Sequence, residues 1–247
     1  MLLKVCLNGP RGKSDHPAVP ITPAELADEA RRSVAAGAEA VHLHPRDGSG
    51  AETLAAAEVG AAVRAVREAC TAPVGVSTGA WIEGDPDRRA ALVRSWSELP
   101  TGERPDFAST NLFEEGWREV FDALLEAGIG VEAGLWSPQD ARRLVESGLA
   151  ERCLRLLLEP VRETPAEAAL AAAGEMRDIL DAAGVEAPRV LHGKDATAWP
   201  VLRHAVSEGL GTRIGFEDTL TLADGEPAHD NAQLVTAARE LFHSASR

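Results

Sequence analysis

The sequence has no tyrosine, five tryptophans, five phenylalanines and three cysteines, and its 25 basic side chains are outnumbered by 39 acidic ones in 247 residues. Each shortage excludes something. So few rings cannot tile a base-stacking surface. A formal net charge of −14 argues against nucleic acid, which is bound through clusters of Lys and Arg, and against an anionic membrane surface. No apolar run approaches the roughly 18 residues that read as a bilayer span. The opening MLLKVCLNGPRG reads as a first strand, without the apolar core and cleavage site of a signal peptide. Cys6, Cys70 and Cys153 are odd in number and widely spaced, which is neither a disulfide framework nor a CxxC metal site. They read as small buried hydrophobes of a reduced, cytoplasmic protein.

What the sequence does contain is a repeated pattern of amphipathic helix, glycine and short apolar run. It recurs around Gly37, Gly128, Gly148, Gly184 and Gly209. Glycine just past a helix takes the left-handed conformation that ends it without a Cβ penalty. Thr22-Pro23-Ala24-Glu25 reads as a capping box, and Ser137-Pro138, Thr164-Pro165 and Asp85-Pro86 repeat the start signal. Strands are expected at Leu3–Leu7, Ala40–His44, Val74–Thr78, Phe107–Thr110, Gly130–Ala133, Cys153–Leu158, Val190–His192 and Thr212–Phe216. Helices fall between them and after the last. Eight alternating β and α units predict an α/β fold of the (β/α)₈ TIM-barrel type. An open doubly wound sheet would need a glycine-rich fingerprint after the first strand, which NGPRGK is not. No linker interrupts the pattern, so residues 1–247 read as one domain, a common length for such barrels.

A barrel of this kind carries its active site at the C-terminal ends of the strands, and there the polar residues stand. His42 and His44 are two apart on the second strand, so both imidazoles project to the same face and can share one metal ion. A carboxylate from a neighbouring strand would complete the set. Glu217 ends strand eight beside strand one, and Glu132 competes for that role. Arg213 can clamp a carboxylate, and Asp218 or Glu132 can act as a general base. Ser77 or Thr78, Ser109 or Asn111, and Arg46 stand where a substrate would be bound. His192 and Lys194 follow strand seven and can line the same pocket. Arg11 and Lys13 make the first loop basic, a weak signal for the phosphates of a nucleotide-type cofactor.

Six segments together resemble the β-keto acid cleavage enzymes: PITPAELADEA, AGAEAVHLHPRD, GVSTGAW, DFASTNLFEEG, GIGVEAGLW and RIGFEDTL. The first and last span nearly the whole chain, and HLHPRD with RIGFED is the most specific pair. The resemblance implies a zinc-dependent barrel, with another divalent metal as the alternative, assembled as a homo-oligomer (dimer or tetramer). It implies that a β-keto acid and acetyl-CoA are converted to acetoacetate and a new acyl-CoA. By motif, His42, His44 and Glu217 would be the zinc ligands, and Arg213 with Asp218 would remove the α-proton. Ser77, Ser109 and Glu132 would be substrate-binding or catalytic groups. Pro45 stands where many members have an aliphatic residue, and Asp15 is the nearest candidate to recognise an amino group. Two other readings compete. An amidohydrolase-like metal hydrolase would place HxH on its first strand and recruit His192 to the metal. A non-catalytic barrel would bind a metabolite without turnover.

Overall fold

The computed structural model describes residues 1–245. Its strands are β1 (Leu3–Cys6), β2 (Ala40–Leu43), β3 (Val74–Ser77), β4 (Phe107–Asn111), β5 (Gly130–Leu135), β6 (Arg155–Leu158), β7 (Arg189–Leu191) and β8 (Thr212–Ile214). The helices are α1 (Pro23–Ala35), α2 (Ala56–Ala69), α3 (Pro86–Ser95), α4 (Trp117–Glu126), α5 (Pro138–Ser147), α6 (Ala166–Ala182), α7 (Ala198–Ser207) and α8 (Asn231–Ala245). Each strand pairs in parallel with its chain neighbour, and β1 also pairs with β8. A parallel bridge between Val190 and Gly211 joins β7 to the start of β8, which nearly closes the barrel. The expected alternation and all eight strand positions are present; β1, β2, β3 and β8 end one or two residues earlier than expected, β6 starts two residues later, and β4 and β5 run one and two residues further.

The local signals act as chemistry requires. Thr22 and Glu25 form the reciprocal capping box with Pro23 in the first turn of α1, and Ser137 and Asp85 cap α5 and α3. The five glycines after helices all have positive φ, between 68° and 114°. One start differs: Pro165 itself occupies the cap position of α6, so the helix begins at Ala166 without a side-chain cap from Thr164. Cys6 and Cys153 are buried as expected, whereas Cys70 is only half-buried where α2 ends. No helix among the described residues is long and apolar enough to cross a membrane.

The strands are almost wholly buried, outward residues beneath the helices and inward ones within the barrel. Its interior is not all apolar. Lys4 Nζ reaches Glu132 Oε2 at 2.5 Å, and Arg155 Nε lies 3.2 Å from Glu132 Oε1, with Lys4 and Glu132 fully buried. Both cations also sit over the Phe107 ring, at 5.7 and 5.0 Å from its centroid. That ring occupies the space Gly75 leaves open, since a Cβ there would lie 1.9 Å from a ring carbon. This plug of Lys4, Glu132, Arg155 and Phe107 is the floor on which the site rests.

Gly75→Ala is therefore expected to lower unfolding free energy by about 1–3 kcal/mol through overpacking against Phe107. Urea denaturation checks it; an unchanged midpoint would mean that the ring yields freely.

Candidate metal centre and active site

Above the floor, β2 and the segment after β8 converge. The Nε2 atoms of His42 and His44 lie 3.7 and 3.6 Å from Glu217 Oε2. The donor atoms of the three residues all fall within 4.8 Å of one another. Glu217 Oε2 is buried and has no hydrogen-bond partner. Burial pushes the His42 imidazole well below its ordinary value, against the pull of Glu217. Burial opposes ionisation of Glu217 too, but Arg213 and the two imidazoles hold its carboxyl well below the usual range. Glu217 Oε2 thus faces two imidazole nitrogens, each just beyond hydrogen-bonding distance. Two imidazoles with one carboxylate suit a divalent metal with an open position.

The surroundings hold these donors in place. Asn8 clamps the backbone of His44: its Oδ1 accepts from His44 N and its Nδ2 donates to His44 O, each at 2.9 Å. Glu52 Oε1 lies 2.5 Å from His44 Nδ1, which fixes the ring with Nε2 toward Glu217. Burial raises the Glu52 carboxyl, but hydrogen bonds from His44 and Trp81 leave it below its ordinary value. Gly9 has φ of 57°, and a Cβ there would lie 2.4 Å from Glu217 Cγ, so glycine is needed for both its conformation and the room it leaves. Arg46 donates to the carbonyls of Gly9 and Arg11 and fastens this first loop.

Arg213 ties the metal set to its neighbour. Its Nη2 donates to Glu217 Oε1 at 2.8 Å and to Asp218 Oδ1 at 2.7 Å, and its Nε donates to the same Asp218 oxygen at 3.1 Å. Asp218 Oδ2 is buried without a partner. Burial and the adjoining Glu217 raise the Asp218 carboxyl, while Arg213 and His192 oppose the rise. Adjacent carboxylates pushed in opposite directions are the pattern that separates a charge-holding group from a proton-accepting one. Across the mouth, His192 Nε2 lies 2.9 Å from Glu159 Oε2 and its Nδ1 lies 3.6 Å from Asp218 Oδ1. Burial would raise the Glu159 carboxyl, but its bond to His192 keeps it below the ordinary value.

Two connected hollows open here. The inner recess is lined by His42, His44, Ser77, Ser109, Asn111 and Glu217, among others. The outer cavity, about 200 Å³, includes His44, Glu217, Trp81, Trp136, His192 and Lys194. A larger depression, about 700 Å³, lies at the opposite end of the barrel between Leu2, Leu154 and Pro188, away from this cluster.

Several expectations are redirected. Thr78 does not line either hollow; its hydroxyl donates to Ser109 O at 2.6 Å. Arg46 binds the first loop rather than facing the cavity. Arg11 pairs with Asp195 and Lys13 with Glu25, so neither stands free for a phosphate. Asp15 is exposed and accepts from Gly12 N at 2.8 Å. Glu132 is engaged by Lys4 and Arg155 in the floor and is not among the donors of the metal triangle. Arg213 binds Glu217 and Asp218 through Nε and Nη2 and also lines both hollows. His42 lies on the second strand and His192 faces Glu159, so the hydrolase arrangement is not formed. Sequence reasoning missed Lys4, Glu52, Trp81 and Trp136. Lys4 alone left a signal, as the one cation inside LKVCL.

Comparison with known proteins places this arrangement in context. The family described as beta-keto acid cleavage enzyme matches residues 1–247. The 3-keto-5-aminohexanoate cleavage enzyme of Acetoanaerobium sticklandii is 23% identical over 90% of this chain and 84% of its own length. Its namesake from Fusobacterium nucleatum subsp. nucleatum is 24% identical over 95% of this chain and 88% of its own. Among solved structures, the ternary complex of ObcA with C4-CoA adduct and oxalate superposes with a TM-score of 0.75 at 21% identity, covering 93% of this chain and 65% of that one. The binary complex of ObcA with oxaloacetate gives 0.73 at 20% identity, covering 93% and 64%. The chain thus spans just under two thirds of the ObcA chains, and the likeness is one of fold.

Metal titration tests the triangle. His44→Ala is expected to abolish stoichiometric zinc binding, and Glu52→Gln to weaken it about 10–100-fold by releasing the ring. Calorimetry against a competing chelator reads both, and unchanged affinity in His44→Ala would exclude the site.

Proposed function

The chain belongs to the β-keto acid cleavage enzyme family, and on that premise we propose that it condenses a β-keto acid with acetyl-CoA, releasing acetoacetate and a new acyl-CoA. Residues 1–247 act as one domain in this reading, with His42, His44 and Glu217 holding zinc. When bound, the metal supplies Lewis-acid stabilisation of the negative charge that develops as the α-proton leaves. The observation that carries the reading is Asp218 Oδ2, a buried oxygen without a partner beside the carboxylate–imidazole triangle.

The chain's own groups divide the work. Arg213 grips Asp218 through Oδ1 and leaves Oδ2 bare to take the proton from the carbon between the keto and carboxylate groups. Ser77, Ser109 and Asn111 offer a polar wall for the substrate's carboxylate. The resulting carbanion attacks the acetyl carbonyl, a carbon–carbon bond forms, and the CoA thiolate leaves. The thiolate then adds to the original keto carbon. The older carbon–carbon bond breaks, its electron pair goes to the acetoacetate carbon, and Asp218 returns the proton there. No protein nucleophile is required, in keeping with a recess whose lining has no cysteine.

Purified protein loaded with zinc and offered a panel of β-keto acids with acetyl-CoA is expected to form acetoacetate. Asp218→Asn is expected to lower kcat by about 10²–10⁴-fold, the usual contribution of a general base, with metal content unchanged. Full activity in that variant would exclude Asp218 as the base, and absence of acetoacetate with every keto acid would overturn the reaction.

A further inference from the structure

The outer cavity is lined by two residues, Trp136 and Lys194, whose polar groups the proposed chemistry does not use. Trp136 Nε1 is buried and has no hydrogen-bond partner, although its ring borders both hollows. An indole N–H donates only, so burying it is unfavourable until a ligand supplies an acceptor. The ring is held in place: Phe113 lies 4.7 Å away, and the Arg162 guanidinium stacks over both rings at 4.3 and 4.8 Å. Lys194 lines the same cavity, and its ammonium forms no ion pair among the described residues. The other charges there are matched. Arg213 serves Glu217 and Asp218, and Glu159 is bonded to His192. Pro10, Val161 and Trp81 complete an apolar wall.

We propose that Trp136 and Lys194 form a distal subsite that selects β-keto acids carrying a second carboxylate at their far end. The proposal rests on the reaction proposed above and names its substrate class. Two donors, one of them cationic, suit a carboxylate with its two accepting oxygens. A distal ammonium would face Lys194 and find Glu159 already engaged. An alkyl end would leave both donors unsatisfied, and sites built to hydrogen-bond a group reject analogues that lack it. The cavity is shared with His44 and Glu217, so its occupant is the molecule that reacts beside them. The phosphates of CoA lie a whole pantetheine arm from the acetyl group.

A six-carbon series tests this: 3-oxohexanedioate, 3-oxohexanoate and 6-amino-3-oxohexanoate, each with the zinc-loaded full chain. Calorimetry without acetyl-CoA reads binding alone, and acetoacetate release with acetyl-CoA reads turnover. The dicarboxylate is expected to bind and react about tenfold or more better than the alkyl acid. Lys194→Met and Trp136→Phe are each expected to shrink that ratio, chiefly through KM, and Lys194→Glu to favour the amino acid end. Equal affinities across the series, an equal loss for all three in Lys194→Met, or an effect confined to the KM of acetyl-CoA would overturn the subsite. Selective dicarboxylate binding without acetoacetate would keep the subsite and overturn the reaction instead.

Discussion

A buried carboxylate oxygen without a hydrogen-bond partner, set against two imidazole nitrogens, is unfavourable unless a cation or a donor reaches it. The C-terminal half of this barrel is organised around that constraint. Glu217 meets His42 and His44 only because Gly9 leaves room for its side chain and Asn8 fixes the backbone of His44 from both sides. Glu52 turns the His44 ring, and Arg213 holds the far oxygen of Glu217. These groups come from three places far apart in the chain: the loop after β1, β2 with the loop after it, and β8 with the segment after it. Ligand, orienting carboxylate and clamp are thereby joined in one bonded set.

Charge is distributed with the same economy. The protein carries a formal net charge of −14, yet its barrel interior is built on cations. Lys4 and Arg155 share Glu132 in the floor, and Arg213 shares Glu217 and Asp218 above it. Local cations in a low-dielectric interior act far more strongly than distant surface charge screened by salt. An acidic surface is thus compatible with a pocket that receives anions. The first and seventh loops meet over this pocket through Arg11 and Asp195, while Arg46 secures the first loop from beneath.

Much of this was legible in the residues. The period of two made His42 and His44 a pair, because alternate strand residues share a face. The adjacency of first and last strands in a closed barrel brought Glu217 and Asp218 to them. Glu132 shows the boundary. It is fully buried among apolar strand neighbours, but its partner Lys4 is 128 positions away, and no local pattern announces that ion pair. Arg11 and Lys13 show the same from the other side, since a basic loop in sequence becomes two ion pairs once Asp195 and Glu25 lie beside it.

The sequence by itself determined the eight alternating units, the helix boundaries set by caps and glycines, and the end of the barrel at which polar residues gather. These follow from local rules: backbone conformations available to glycine and proline, capping hydrogen bonds, and side-chain periodicity. The tertiary structure alone decided which polar residues touch. It separated Thr78, Arg46 and Glu132 from the recess, recruited Glu52 to His44, and left Trp136 and Lys194 facing the cavity. The reason is physical. A titratable side chain takes its character from groups within a few ångströms, and in a barrel those groups come from strands far apart along the chain.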